Sequence, residues 1–517
     1  QVAPSGTVTN TNLIEATNGA TLNLLATVTN TGGTIQAAGT GSLVELRGST
    51  INGGTLTTSG GGTVQNSGTA TLNGVTISTG STFTAGNGST TFLLGTISNN
   101  GTLAQNSTGA DTDLHISGNV TLDGTGVLSL SNNFANRIYG TGSDSLTNGA
   151  NHTIEGAGQI GLNNSGNAFT LTNNGTILAN QSNTLQVASG GNMTNNGTFQ
   201  ANSGSLLNVI GNLTNYNPAT STLTGGTYNA FSGTIQLSQA NATAITPAVI
   251  TTNAATILLD GASAKIADGS GNDIVRGFLA TNTAAGSFTI QNGANLTTAS
   301  TGFSNAGTVN IGANSTFTVG GSNDYVQTGG STTLAATTSV LAVASGHSVD
   351  INGGTLQGFG TITGNLSNTG GTIMPGTPGV AGILTVTGKY SDPQAFLDIQ
   401  IGGPNAGTGF SQLNISGTAS LAGTLDLSLI NGFTPYNGEL FEILTSSSLS
   451  GVFSTVNGLQ EGNVTFTVAY TPNDVVLDAH VAPSVIPEPA SWLMLGLGLA
   501  TVGTCVVRKS KSQVRGK

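Results

Sequence analysis

One short phrase recurs along most of this chain and limits what it can fold into: a polar pair, Gly, Thr, then an apolar residue. It stands at Asn30-Thr31-Gly32-Gly33-Thr34-Ile35, Asn52-Gly53-Gly54-Thr55-Leu56 and Asn99-Asn100-Gly101-Thr102-Leu103. It returns at Asn173-Asn174-Gly175-Thr176-Ile177, Asn195-Asn196-Gly197-Thr198-Phe199, Asn305-Ala306-Gly307-Thr308-Val309 and Asn368-Thr369-Gly370-Gly371-Thr372-Ile373. Gly33 to Gly54 is 21 residues, Gly175 to Gly197 is 22 and Gly354 to Gly371 is 17. Asn and Gly accept the positive φ of a tight turn. Thr and the apolar residue after it then open a strand of alternating side chains. A helical period is absent before residue 490. Repeats of this length, each unable to bury its own apolar face, predict stacked coils around a continuous core. The expected fold is all-β: a right-handed parallel β-helix (β-solenoid) over residues 1–390. Roughly eighteen coils at about 4.8 Å each would make a rod of about 85 Å.

Composition narrows the function classes. Charged residues are 6% of the 517, against roughly 25% in an ordinary domain. The single cysteine, Cys505, can build neither a disulfide framework nor a cysteine zinc site. Ten Lys+Arg against 21 Asp+Glu give a net charge of −11, so no nucleic-acid partner is expected, because phosphate binding needs clustered positive charge. The basic residues are also unevenly placed. Arg508, Lys509, Lys511, Arg515 and Lys517 crowd the last ten positions, leaving only Arg47, Arg137, Lys265, Arg276 and Lys389 before them.

That basic cluster follows Ala490–Val507, an uncharged apolar run with Trp492 near its start. As a helix it would span roughly 27 Å, close to the hydrocarbon thickness of a bilayer, with cations on the cytoplasmic side. Residues 490–517 are therefore expected to be a transmembrane helix with a basic stop. Residues 481–489, rich in proline, form a tether that ends in Pro487-Glu488-Pro489. Pro-Glu-Pro, an apolar helix and a basic cluster in that order resemble the tripartite C-terminal signal of the PEP-CTERM family of exported bacterial proteins. The resemblance implies an exosortase-type membrane processing enzyme as partner and cleavage near Pro487–Pro489. It also implies a Gram-negative source, with transient anchoring in the inner membrane before delivery to the surface or matrix. A C-terminal sorting signal presupposes export, so an N-terminal signal peptide is expected to have been removed or omitted.

Residues 370–390, from Gly370-Gly371-Thr372-Ile373-Met374-Pro375-Gly376 through Leu384-Thr385-Val386-Thr387-Gly388-Lys389-Tyr390, resemble the passenger-associated repeat of autotransporter β-helices. Beyond them the alternating runs lengthen and Phe433, Tyr436, Phe441, Phe453 and Tyr470 add bulk. Residues 391–480 are expected to form a β-cap or small β-sandwich that closes the open edge of the solenoid.

Candidate chemistry is sparse. Asp111, Asp113 and His115 alternate and would share one face of a strand. That spacing suits a metal or acid/base cluster, the ordinary alternative being three solvated residues. A polysaccharide lyase would need a nearby base, and Arg137 is the basic residue at hand. Asp268-Gly269-Ser270-Gly271-Asn272-Asp273 resembles one calcium-binding nonapeptide, but such sites share ligands between neighbouring copies, so Asp268 and Asp273 are weak candidates beside an ordinary turn. Apart from Glu155 after His152, His152, His347 and His480 lack acidic partners at motif spacing, and Cys505 reads as an inert packing residue. No cofactor is expected. The leading expectation is a non-enzymatic surface or matrix protein that binds exopolysaccharide or other copies of itself. A cell- or glycan-binding adhesin and a lyase or hydrolase on Asp111 and Asp113 are the alternatives.

Overall fold

The computed structural model describes residues 1–2, 6–162, 168–238 and 249–482. Among them the regular structure is all strand. The strands stack in parallel from coil to coil, so the β-solenoid expected from the phrase is the architecture of the molecule. Three strand columns run along the axis. The one that most copies of the phrase open starts at Thr21–Leu24 and Leu43–Leu46 and can be followed through nineteen strands to Thr455–Asn457, whereas the copies before Thr34 and Thr55 open strands of a neighbouring column. At about 4.8 Å per step this column is roughly 86 Å long.

Register explains why the phrase recurs. Thr153, Thr176, Thr198, Thr227, Thr256, Ser287 and Thr308 lie directly over one another and point outward. The next position points inward: Ile154, Ile177, Phe199, Tyr228, Ile257, Phe288 and Val309 form an unbroken apolar column, each at 0% exposure. Burying each of these side chains contributes about 1.5–3 kcal/mol, and only stacking makes that burial available. The aromatic members meet edge to face, Phe199 on Tyr228 and Phe288 on Phe317. The sequence step between strands of this column ranges from 17 residues (Thr355 to Thr372) to 31 (Thr424 to Thr455). Corner turns absorb the difference, which a strict repeat would not reveal.

The turn chemistry differs from the expectation. Among the described residues, the non-glycine residues with positive φ are Asn18, Ser221, Ser232, Asn292, Asn314 and Asn431, none of them an asparagine of the phrase. Asn30, Asn99, Asn173, Asn195, Asn305 and Asn368 instead turn inward, and several of them join a buried ladder, while the second asparagine of a pair, such as Asn174 or Asn196, stays outside. Asn148 Nδ2 donates to Asn173 Oδ1 at 2.8 Å, Asn173 Nδ2 to Asn195 Oδ1 at 2.8 Å, and Asn282 Nδ2 to Asn305 Oδ1 at 2.8 Å. Each amide also ties a backbone carbonyl of the next coil, as Asn173 ties Thr198 O at 3.1 Å. A buried polar side chain is tolerated when it is bonded in this way. The glycines divide into two kinds. Gly32 and Gly54 do adopt positive φ, at 78° and 71°. Gly175, Gly197 and Gly307 do not; a Cβ on Gly197 would collide with the carbonyl oxygen of Gly175 one coil below. Close approach of coils, rather than handedness, fixes these glycines.

Parallel stacking runs on past residue 390. Phe396–Ile401 pairs with Thr424–Leu429, and Thr424–Asp426 with Thr455–Asn457. Longer strands and added aromatics mark wider coils here. Antiparallel pairing takes over where Asp474–Val481 lies between Glu439–Thr445 and Val464–Tyr470. These antiparallel strands extend the sheet that Gln412–Ile415 pairs into through Glu439–Thr445.

Candidate functional site

Strand Thr112–Asp123 turns Thr112, Leu114 and Ile116 into the core and leaves Asp113 and His115 on the outer flank. Asp111 precedes the strand on that side. Parallel register sets Asp113 beside Arg137 and His115 between Phe92 and Tyr139 of the neighbouring coils. Arg137 therefore lies one coil step from both carboxylates, although 24 and 26 residues away in sequence. It grips Asp113 with both arms, Nε to Oδ1 at 2.7 Å and Nη2 to Oδ2 at 2.8 Å, while Nη1 reaches Asp111 Oδ2 at 2.5 Å. Tyr139 donates its hydroxyl to Asp113 Oδ2 at 3.3 Å and lies under the guanidinium, 5.6 Å from ring centre to Cζ. His115 fills the remaining gap, its ring 4.9 Å from Phe92 and 5.0 Å from Tyr139.

The electrostatics follow from this clamp. The hydrogen bonds to Asp113 are the main cause that holds the Arg137 guanidinium above its usual range, with the charges of Asp113 and Asp111 adding to them. Burial, then the negative charge of Asp113, raises the Tyr139 phenol. A guanidinium held protonated by two carboxylates is poorly placed to take a proton, the task a lyase would set for it. The carboxylates are occupied as well, so a cation would have to displace Arg137. Among the described residues no group of three or more His, Cys, Asp or Glu side chains is placed to hold a metal ion.

Asp268 and Asp273 are brought into one turn but not into one coordination shell. Asp268 Oδ1 accepts from the backbone of Ser270 at 2.8 Å and Asn272 at 2.9 Å, and Oδ2 from Asn272 Nδ2 at 3.0 Å. Burial pushes this carboxyl up, and the hydrogen bonds from Asn272 and Ser270 outweigh it and hold the group below its ordinary value. Asp273 accepts from the backbone of Val275 and Arg276 and pairs with Arg276 Nη1 at 2.5 Å. Both carboxylates are thus spent on closing their own turn.

The histidines were isolated only in sequence. His347 Nδ1 lies 3.1 Å from Asp324 Oδ1 of the preceding coil, and His480 Nε2 lies 3.9 Å from Asp478. His152 is fully buried within the asparagine ladder: Nε2 is 3.0 Å from Asn99 Nδ2 and Nδ1 is 2.8 Å from Asn148 Oδ1. No spacing rule could have found that place, because Asn99 precedes His152 by 53 residues.

The remaining sequence candidates, Pro487, Glu488, Pro489, Arg508, Lys509, Lys511, Arg515 and Lys517, lie outside the described residues, as does the helix expected over 490–517. Comparison with known families supplies what coordinates do not. The model of the PEP-CTERM protein-sorting motif matches residues 485–509. The chain carries a PEP-CTERM sorting motif. The match takes in the Pro-Glu-Pro triplet, the apolar run, Arg508 and Lys509, while Lys511, Arg515 and Lys517 fall beyond it. This motif marks proteins exported to the surface of Gram-negative bacteria and is read by exosortase-type membrane processing enzymes. No curated protein matches the chain.

Proposed function

We propose that the exported solenoid is a non-enzymatic structural rod of the cell surface or extracellular matrix, and that it holds exopolysaccharide along its flank. The observation that carries this reading is the ordered outer surface, sparse in charge. Outward side chains of successive coils hydrogen-bond along the axis: Thr194 to Thr214 at 2.8 Å, Asn212 to Asn192 at 2.8 Å, Asn196 to Asn174 at 3.0 Å and Asn73 to Asn52 at 2.9 Å. Each amide or hydroxyl so fixed keeps spare donor or acceptor capacity toward solvent. A sugar chain laid along the rod would meet pre-oriented partners at every coil, with little side-chain entropy left to lose. The clamped state of Asp111, Asp113 and Arg137 favours this reading over a lyase.

The test is co-sedimentation of the secreted protein with exopolysaccharide, followed by sizing of the polymer. Retention with unchanged chain length is expected. Shortened chains, abolished by Asp111→Asn with Asp113→Asn, would establish the enzyme instead. Fibres forming without polysaccharide would favour self-assembly, and binding to cells alone would favour an adhesin.

A further inference from the structure

The side of the solenoid built by Leu206–Leu213, Thr234–Ser238 and Lys265–Asp268 ends at the third of these strands. The sheet continuing that side begins afresh at Leu296–Thr297. The chain between them crosses the break in a loop pinned by Gly277 N to Thr297 O at 2.7 Å and by Arg276 Nε to Asn295 O at 2.6 Å. Beside this discontinuity lies an open groove of about 740 Å³, lined by Ser205, Ser232, Thr234, Ser263, Lys265 and Arg276. A second hollow of about 410 Å³ continues it on the far side of Lys265, along Gln236 and the 269–271 turn.

Charge singles out this groove. The first 507 residues contain five basic side chains, and two of them line it. Arg47 and Arg137 are spent on Glu45 and on Asp111 and Asp113, and Lys389, exposed, lines neither hollow. Lys265 has only the carbonyl of Gly271, at 2.9 Å, and no carboxylate within ion-pair reach among the described residues. Arg276 commits Nη1 to Asp273, but its Nη2 is buried with no acceptor among the described residues. Lys265, with no carboxylate partner among the described residues, is the charge left free to meet an anion in the groove. The seryl hydroxyls around it come from three successive turns, one per coil, and suit sugar hydroxyls.

We infer that this groove binds a carboxylate-bearing sugar of an acidic polysaccharide, a specificity that rests on the polysaccharide-holding role proposed above. Lys265 supplies the charge that meets the sugar carboxylate, and Ser232 and Ser263 position the ring. The neutral ladders elsewhere on the rod have no such preference.

Calorimetric titration of the secreted protein with a hexameric oligogalacturonate, and with a neutral gluco-oligosaccharide of equal length, tests this. Oligogalacturonate should bind preferentially and lose affinity as salt rises. Lys265→Gln should weaken it by about tenfold or more, and Lys265→Arg should restore most of the loss. Lys389→Gln, at an exposed lysine far along the chain, should change nothing. Circular dichroism and melting of Lys265→Gln should match the parent. No preference for the acidic oligomer, or unchanged binding by Lys265→Gln, would overturn the inference. If exopolysaccharide were still retained in that case, the matrix role would stand and only the groove's specificity would fall; loss of retention by the parent protein would remove both.

Discussion

His152 gives the sharpest physical test of the interior. An amide nitrogen only donates, and Gly101 N donates to Asn99 Oδ1 at 3.2 Å, fixing which end of that amide faces the ring. Asn99 Nδ2 must therefore donate to Nε2, and Nδ1 carries the proton given to Asn148 Oδ1. The pocket accepts one neutral tautomer; a second ring proton would point at an amide NH₂. Burial lowers the imidazole pKa from 6.5 to about 4, against a smaller upward pull from Asp123. A base with a depressed native pKa stabilises the fold in full above its unfolded value, and that stability is lost as pH falls toward the native one. The gap of about 2.5 units corresponds to about 3 kcal/mol at 1.36 kcal/mol per unit, of which somewhat under half is gone by pH 5.5. Total stability is the wrong readout. Asp350, Asp392, Asp398 and Glu442 have carboxyls raised by burial, and these gain relative stability as pH falls. The difference between the parent and His152→Asn isolates the histidine. Hydrogen exchange of the backbone amides around 148–153, corrected for intrinsic rate, should show the parent's local protection falling toward the variant's between pH 7 and 4.5. Imidazole ¹⁵N shifts should show neutral His152 at pH 5.5. A ring titrating near 6.5, or a parent–variant difference independent of pH, would refute the reasoning.

Three further outcomes are expected. Gly197→Ala, at a position of ordinary φ, should cost more than the about 1 kcal/mol by which Ala normally outperforms Gly in a regular element, because its Cβ meets the Gly175 carbonyl; a neutral or stabilising effect in denaturant unfolding would show that the coils can separate freely. Arg137→Gln should destabilise by about 2 kcal/mol by stranding Asp113, and Asp113→Asn in the same chain should recover most of it; equal unfolding midpoints for parent and single variant would defeat the clamp. Replacing Pro487, Glu488 and Pro489 with alanine should leave the protein in the membrane fraction with residues 490–517 attached, as read by mass spectrometry; unchanged release would show that the motif is not what the processing enzyme reads.

The fold was legible because the phrase encodes it at two levels. Thr followed by an apolar residue opens most strands of the column, and the inward column from Ile154 to Val309 follows directly from alternation. The sorting motif was legible because three kinds of residue stand in a fixed order. The turn chemistry was misread for a physical reason: Asn173 and Asn195 hydrogen-bond across coils, a contact that local propensity cannot express, and Gly197 answers to a carbonyl about one coil below. The clamp on Asp111 and Asp113 was half legible. Their shared face was predictable from period two, while the register that delivers Arg137 depends on the number of residues in the turns between coils.

A chain with so few ions gives unusual weight to where each one stands. In an ordinary domain a surface Lys–Asp pair contributes about 0–1 kcal/mol and says little about role. Here backbone ladders, the apolar column and the asparagine amides specify the fold, so charges are not needed to hold it. Those that remain divide sharply by what they touch. Arg137 is locked by two carboxylates and a ring, and Asp268 and Asp273 are consumed by their own turn. Lys265 stands on a groove, without a carboxylate partner among the described residues, where a lateral sheet is interrupted. A solenoid that binds through repeated neutral contacts gains affinity in proportion to length but little selectivity among sugars. A single unpaired cation at a break in the repeat is the economical way to add that selectivity, since it leaves the coil-to-coil register on either side untouched.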